Sequence, residues 1–218
     1  MDWNFIADIA PTILEGLSIT LSLFFWSMIF STIGGLALAL MRLSPLGPLR
    51  WFSIGFGWFF RGIPLLLLLF YAFFALPEFG ETFLLSPFRA AVLGLSLWTA
   101  AYQSEAFRSG ILAVDAGQFE AAEALGLSKP HYMRKIVLPQ AARIIIPPFM
   151  GNAINTMKQT SLATVITVPE MTLLAQRIIA SEFKAVEPLF TLALIYLALT
   201  SVLVVAQFGL ERTFRLKV

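Results

Sequence analysis

The polar stretch Gly117–Pro139, GQFEAAEALGLSKPHYMRKIVLP, interrupts an otherwise apolar sequence and decides the interpretation of the rest of the chain. Its first part, Glu120 to Leu125, consists mainly of strong helix formers. Gly126 follows, at a point where glycine can adopt the left-handed conformation that closes a helix. A second element begins at Ser128 and is expected to end on Pro139. The stretch therefore predicts a short helix, a glycine bend and a second short helix, exposed between two apolar segments.

The overall composition is typical of a membrane protein. Hydrophobic residues occupy 58% of the 218 positions and charged residues only 13%, a balance that a water-soluble domain could not cover with polar surface. At roughly 20 apolar residues per span, the length allows one all-α transmembrane domain, 1–218, with about five helices. The net charge of +2 is too small to indicate a nucleic-acid partner, and the absence of cysteine excludes disulfides and thiolate metal sites. No glycine-rich phosphate loop is present, so we predict neither a nucleotide site nor a cofactor of its own.

Five apolar stretches are predicted to cross the membrane, at residues 17–41, 52–76, 88–107, 142–168 and 189–208. In the first, small residues recur every four positions from Ser27 to Ala39, which predicts close helix packing, either generic or in a dimer contact. The second is interrupted at Arg61–Pro64, where the arginine serves either as an interfacial anchor or as a functional group. Residues 170–187 predict an external amphipathic helix and loop.

The distribution of basic residues predicts the orientation. With the N-terminus outside, the inner segments hold ten arginines and lysines and the outer segments hold three. The inner set is Arg42, Arg50, Arg108, Lys129, Arg134, Lys135, Arg143, Arg212, Arg215 and Lys217; the outer set is Arg89, Arg177 and Lys184. The positive-inside rule then places the region 108–141 and the C-terminus in the cytoplasm.

The spacing within the opening stretch resembles a known motif. Glu120-Ala121-Ala122, Gly126, Ile136 and Leu138-Pro139 match the EAA motif of binding-protein-dependent ABC transporter permeases, position for position. Flanking residues are similar to the polar amino-acid uptake subfamily: Ala101-Tyr102, Glu105, Phe107-Arg108, Gly117-Gln118, Gln140-Ala141, Lys158, Thr160-Ser161-Leu162, and Arg61-Gly62 with Pro64. These matches run from about residue 42 to residue 170, and the span pattern extends the likeness to the whole chain.

The resemblance implies a fold and a set of partners. It implies a type I importer permease in a bacterial cytoplasmic (inner) membrane, paired with a second permease chain that is identical or paralogous. It further implies two cytoplasmic ABC ATPase subunits that bind ATP and Mg²⁺, an extracytoplasmic solute-binding protein and a polar amino-acid substrate. The permease itself is then a transport subunit and not an enzyme. ATPase coupling is assigned by the resemblance to Gln118, Glu120, Ala121, Ala122, Leu125, Gly126 and Pro139.

A polar seam in the fourth apolar stretch is the candidate substrate path. Asn152 and Asn155 are three residues apart on one helix face, and Lys158 continues that face by one turn. The candidate path comprises Asn152, Asn155, Lys158, Thr160, Ser161 and Arg61. Lys158 is expected to meet a substrate carboxylate or a buried acid such as Glu105. The alternative is that these groups satisfy one another, or cap the helix where it is disturbed. Ala153 stands where some related permeases carry an acid, which favours neutral, acidic or sulfur-containing substrates over lysine or arginine.

Two other classes of function fit less well. A self-sufficient channel or ion-coupled carrier predicts membrane-embedded acids or inverted repeats with paired broken helices, and neither is evident in the sequence. A membrane enzyme would need a catalytic constellation around the cluster from Tyr102 to Glu105, but no paired carboxylates, Ser/His arrangement or metal-ligand spacing accompany it.

Overall fold

The computed structural model describes residues 1–214; Arg215 and Lys217, counted above on the inner side, lie outside the described residues. The described part of the chain is helical and contains no β-strand. Its helices are α1 Trp3–Glu15, α2 Leu17–Leu43, α3 Gly47–Gly62, α4 Leu65–Phe70, α5 Pro87–Leu112, α6 Ala116–Ala124, α7 Lys129–Tyr132, α8 Leu138–Gln159, α9 Met171–Glu182 and α10 Val186–Phe214. Short π and 3₁₀ segments extend several of them: Tyr71–Ala75, Leu76–Phe79 and Glu81–Phe83 after α4, Met133–Val137 before α8, and Thr160–Ile166 after it.

Within residues 1–214, α2 and α10 are long and apolar enough to span a bilayer. Two bent pairs qualify as well if each is counted as one span: α3 with 65–79, which meet at 102°, and 129–166 with α9, which meet at 51°. The remaining predicted span corresponds to α5, whose 26 residues correspond to about 39 Å of helix. Its second half carries Gln103, Glu105 and Arg108, so it is less apolar than α2 or α10.

The small-residue stripe of α2 is used inside the chain. Ser27, Ser31, Gly35 and Ala39 are all buried, and α2 packs along α5 more extensively than any other pair of described helices. A Cβ added at Gly35 would lie 2.7 Å from the Cβ of Gln103, which is closer than real Cβ contacts. The packing interpretation of the stripe is therefore confirmed, because glycine is needed here for two helices of the same chain to approach.

The predicted second span, 52–76, folds as two segments that meet at a sharp bend. Pro64 restricts the residue before it, and Ile63 accordingly adopts an extended conformation with φ −101° and ψ 134°. Helix α3 therefore stops at Gly62, and the backbone resumes helical geometry only at Leu65. This break carries Arg61 to the edge of the α2–α5 pair.

The prediction that the second element of the polar stretch ends on Pro139 is wrong. Helical backbone runs without interruption from Lys129 to Ile166. Proline lacks an N–H and its ring clashes with the carbonyl four residues earlier in a regular α-helix. Here the five residues Met133–Val137 form a π turn that ends two residues before the proline, and wider turns of this kind accommodate such an interruption. The polar stretch is thus the first part of the α8 rod.

The N-terminal helix α1 was not predicted from the sequence. Asp2 caps it by accepting a hydrogen bond from the Phe5 N–H at 3.1 Å, and Ile9 and Ile13 lie on one buried face against α9 and α10. Helix α9 itself confirms the predicted helix in 170–187; the buried Glu170 caps it and also accepts a hydrogen bond from the Tyr196 hydroxyl. These contacts close one end of the bundle.

Candidate functional site

Helix α6 carries the EAA residues and is capped at both ends. The Asp115 side chain accepts a hydrogen bond from the Gly117 N–H at 2.8 Å at its start. At its end Gly126 has φ +71°, and its N–H donates to the Glu123 carbonyl while the Leu127 N–H donates to the Ala122 carbonyl. This pair of bonds is a Schellman motif, which requires a left-handed residue where Gly126 stands. The predicted helix and glycine bend are confirmed, with the helix beginning at Ala116, four residues earlier than expected.

The inner face of α6 packs on the base of the long α7–α8 rod. Ala122 is buried in a cluster with Tyr132, Val137 and Ala141. The Tyr132 hydroxyl donates to Glu123 Oε1 at 3.2 Å, and the rings of Phe119 and Tyr132 meet edge to face. Apolar burial and this hydrogen bond help to fix α6 to the rod, so the two can move as one body.

The other assigned coupling residues lie on the outer surface. Gln118, Glu120, Ala121, Leu125, Gly126 and Pro139 are exposed, whereas Ala122 is buried. Leu125 is 77% exposed, so this surface includes a large apolar side chain. Gln118 accepts a hydrogen bond from the Gln140 side chain at 3.2 Å, which links α6 to the start of α8. The geometry presents a small convex helix whose surface is available for contact.

The predicted polar seam separates into two groups. Asn155 and Lys158 are exposed and Asn152 is partly buried; their side chains form no hydrogen bond with residues 1–214. Thr160 is buried, donates to the Met157 carbonyl at 2.7 Å and lies 3.5 Å from the Tyr196 hydroxyl. Ser161 donates to the Lys158 carbonyl at 2.8 Å. Thr160 and Ser161 therefore support the backbone where α8 passes into 3₁₀ geometry, and the first three residues offer free polar groups.

Glu105 does not pair with Lys158, contrary to one of the two expectations for that lysine. Its Oε1 accepts hydrogen bonds from Arg42 at 2.8 Å and from Arg61 at 3.1 Å, and its Oε2 accepts one from Arg108 at 3.0 Å. We call these four residues the arginine cluster. Arg61 also donates to the Gly57 carbonyl at 3.0 Å. The cluster ties the ends of α2 and α3 to α5. The described hydrogen bonds of Arg61 lie within α3 and this cluster, and its place in the substrate path stays a prediction.

Sequence reasoning missed the partners inside this cluster and one contact at the seam. Glu105 and Arg108, three residues apart on one helix, are an opposite-charge pair that the sequence could have revealed. Arg42 and Arg61 are distant in sequence and gave no such signal. Thr156 bonds Thr99 of α5 at 2.9 Å from within α8, which holds the two helices together beside the seam.

The all-helical fold, the continuous rod and the exposed motif helix define a polytopic membrane component of a transport system. In agreement, residues 31–216 match the family described as "Binding-protein-dependent transport system inner membrane component". The chain belongs to this family.

Individual relatives extend over nearly the whole chain. It is 41% identical over 204 residues to the probable amino-acid ABC transporter permease protein YckA of Bacillus subtilis, covering 94% of this chain and 89% of the relative. It is 38% identical to the arginine transport system permease protein ArtQ of the same organism, covering 99% of each. A crystal structure of an amino acid ABC transporter with histidines superposes with a TM-score of 0.90 at 31% identity, covering 98% of this chain and 99% of the other.

Proposed function

We propose that this chain is the membrane-spanning subunit of an ATP-driven importer of polar amino acids in a bacterial cytoplasmic membrane. Its N-terminus faces outside and α6 faces the cytoplasm. The observation that carries the proposal is the position of the EAA residues on an exposed, doubly capped helix fixed to the α7–α8 rod. Related permeases named for amino-acid transport support the substrate class.

The proposed coupling uses α6 as the contact with an ATPase subunit. A groove on each ATPase holds the exposed face formed by Glu120, Ala121, Leu125 and Gly126. Closure of two ATPase subunits on ATP moves α6, and the packing of Ala122 on the rod transfers that motion to α8. ATP and Mg²⁺ are bound by the partner subunits, and a second permease chain completes the path.

The proposed substrate path follows the exposed face of α8 at Asn152, Asn155 and Lys158. Amide groups donate and accept hydrogen bonds, and an ammonium group attracts a carboxylate, which suits the backbone groups of an amino acid. The buried Ala153 offers no acid for a basic side chain. The proposal therefore favours neutral, acidic or sulfur-containing amino acids delivered by an extracytoplasmic binding protein.

The test is ATP hydrolysis by the complex purified through this chain and reconstituted in nanodiscs. The binding protein is supplied loaded with each common amino acid in turn, and one chemical class is expected to stimulate hydrolysis. Gly126→Asp is expected to abolish stimulation. Gly47→Asp, at the first residue of α3 where an added side chain also meets nothing within 4 Å, is the matched control and is expected to leave stimulation intact. If no ATPase copurifies and the chain alone passes solute, the proposal is wrong. If Asn152→Ala and Asn155→Ala leave uptake unchanged, the seam is structural.

A further inference from the structure

The arginine cluster carries more positive charge than its single acid neutralises. Three guanidinium groups share one carboxylate, which leaves an excess of two positive charges. Five N–H donors per arginine make about fifteen in all. The hydrogen bonds to Glu105 and to the Gly57 carbonyl engage four of them. All three side chains are partly exposed, so the unused donors can reach a ligand from outside the protein.

An apolar cavity of about 460 Å³ is lined in part by Phe60 and Ile63, which flank Arg61 closely in the sequence. It lies between the end of α3, the segment 65–79 and α5. Its lining includes Phe60, Ile63, Tyr71, Leu93 and Leu97, and no charged side chain contributes to it. Arg61 stands between Phe60 and Ile63 in sequence. On α5, Leu97 is eight residues from Glu105, a rise of about 12 Å along the helix.

The surface of α3 around this cavity has the character of a membrane interface. Trp51, Phe52, Trp58 and Phe59 are all exposed on this short helix. Tryptophan and other amphipathic aromatics concentrate at the level of lipid headgroups. With α3 at the headgroup level, the arginine cluster at its end would meet the phosphate of a membrane lipid. The cavity lining on α5 lies farther along that helix, at Leu97, Gly94 and Leu93.

We propose that the arginine cluster and this cavity form a binding site for a phospholipid with an anionic headgroup. The headgroup phosphate accepts hydrogen bonds from Arg61 and its neighbouring arginines, because planar guanidinium groups match phosphate oxygens. One acyl chain occupies the apolar cavity. The combination of excess cation and apolar cavity selects an amphipathic anion. A free amino acid fits less well, since its ammonium group would find only Glu105, which three guanidiniums already share.

The bound lipid would fill the space between α3, α4 and α5 and neutralise the excess charge of the cluster. It would thereby stabilise the 102° bend that positions Arg61. The cluster and the cavity lining contain no residue of α6 or α8, so the site does not depend on the coupling assignment or on the α8 seam.

The experiment is native mass spectrometry of the intact transporter complex taken from nanodiscs that contain equal amounts of phosphatidylglycerol and phosphatidylcholine. Preferential retention of phosphatidylglycerol is expected. Arg61→Gln is expected to weaken that retention by at least about tenfold, the loss of one charge-assisted hydrogen bond to the phosphate. The matched control Arg50→Gln, on the same helix but outside the cluster, is expected to change it by less than about twofold.

A second variant tests the apolar half without touching the charges. Ala75→Phe fills the cavity and is expected to abolish selective retention while leaving all three arginines in place. Equal retention by the Ala75→Phe and Arg61→Gln variants and the unsubstituted protein overturns the proposal. Displacement of the bound lipid by millimolar inorganic phosphate would also overturn it, because the site would then be a simple anion site.

The remaining occupant to exclude is a second copy of this chain. The sequence contains no cysteine, so Tyr71→Cys introduces a single thiol at the exposed rim of the cavity. No disulfide-linked dimer is expected in the membrane. Rapid formation of such a dimer would show that another chain covers the cavity and would overturn the lipid assignment.

Discussion

The bend at Gly126 allows a test that separates backbone conformation from contact with a partner. The change is Gly126→Ala. A Cβ at this position would meet nothing within 4 Å, so no steric clash contributes. The cost is conformational, because φ is +71° and an L-residue in the left-handed region costs roughly 1–2 kcal/mol. Alanine also reduces the entropy of the unfolded chain, which offsets roughly 0.4–1 kcal/mol. We expect a net loss of about 1 kcal/mol.

The assay is amide hydrogen exchange of the purified permease in nanodiscs without ATPase subunits. The bonds from the N–H groups of Gly126 and Leu127 close the end of α6, so opening of this end exposes both amides. A loss of about 1 kcal/mol corresponds to about fivefold faster exchange in peptides covering 116–127. Gly126→Asn is expected to have a smaller effect, since asparagine tolerates the left-handed region better.

The matched control is Gly55→Ala, which places the same methyl group in open space but within the right-handed helix α3. It is expected to leave exchange in α6 unchanged and to slow exchange in α3, because alanine is favoured over glycine in a helix interior by roughly 0.5–1 kcal/mol. The reasoning is refuted if Gly126→Ala exchanges like the unsubstituted protein, or if the asparagine and alanine variants are equally fast. Glycine at position 126 would then be needed only for contact with the ATPase subunit and not for the backbone conformation of α6.

Three further changes test the packing of the bundle. Glu105→Gln removes the charge that three guanidiniums share. It is expected to destabilise the purified complex by on the order of 2 kcal/mol, which a lower midpoint of thermal unfolding would show. An unchanged midpoint would contradict a stabilising role for the arginine cluster. Gly16→Ala brings a Cβ to 2.5 Å from the backbone at the start of α9, and it is expected to lower the free energy of unfolding by about 1–3 kcal/mol in the same assay. Gly151→Ala adds a methyl group in open space and is expected to leave the unfolding midpoint unchanged. Tyr132→Phe removes the hydroxyl bond to α6, and amide exchange of α6 should become about fivefold faster, which corresponds to a loss of about 1 kcal/mol. Unaltered exchange would show that the other contacts hold α6 without this bond.

Local rules were sufficient for α6 and its bend. A run of helix formers followed by a glycine predicts a helix that ends at that glycine, and the left-handed conformation of Gly126 confirms the prediction. The break near Pro64 was also visible, because proline restricts its neighbour regardless of the tertiary structure. The assignment of α6 to an ATPase groove stays a prediction, since it depends on a surface of another protein.

Errors occurred where the outcome depended on long-range contacts or on an unusual turn. The sequence suggested Lys158 as a cation for Glu105. In the fold, Glu105 instead contacts Arg42 and Arg61, which lie 63 and 44 residues earlier in the chain. Pro139 appeared to be a stop because the sequence does not reveal a π turn ahead of it. Helix α1 was missed although Asp2 is a good cap, because its apolar face is satisfied only by α9 and α10.

The π turn at Met133–Val137 has a consequence for the angular phase of the rod. A π turn accommodates one more residue than an α turn, and each residue of an α-helix advances by about 100° around its axis. One residue inserted near Ile136 therefore sets the angle around the rod axis between Asn155 and the site where α6 is attached. Deleting a single residue there, with the helix otherwise retained, would rotate the seam by about a quarter of a turn from the direction it now faces.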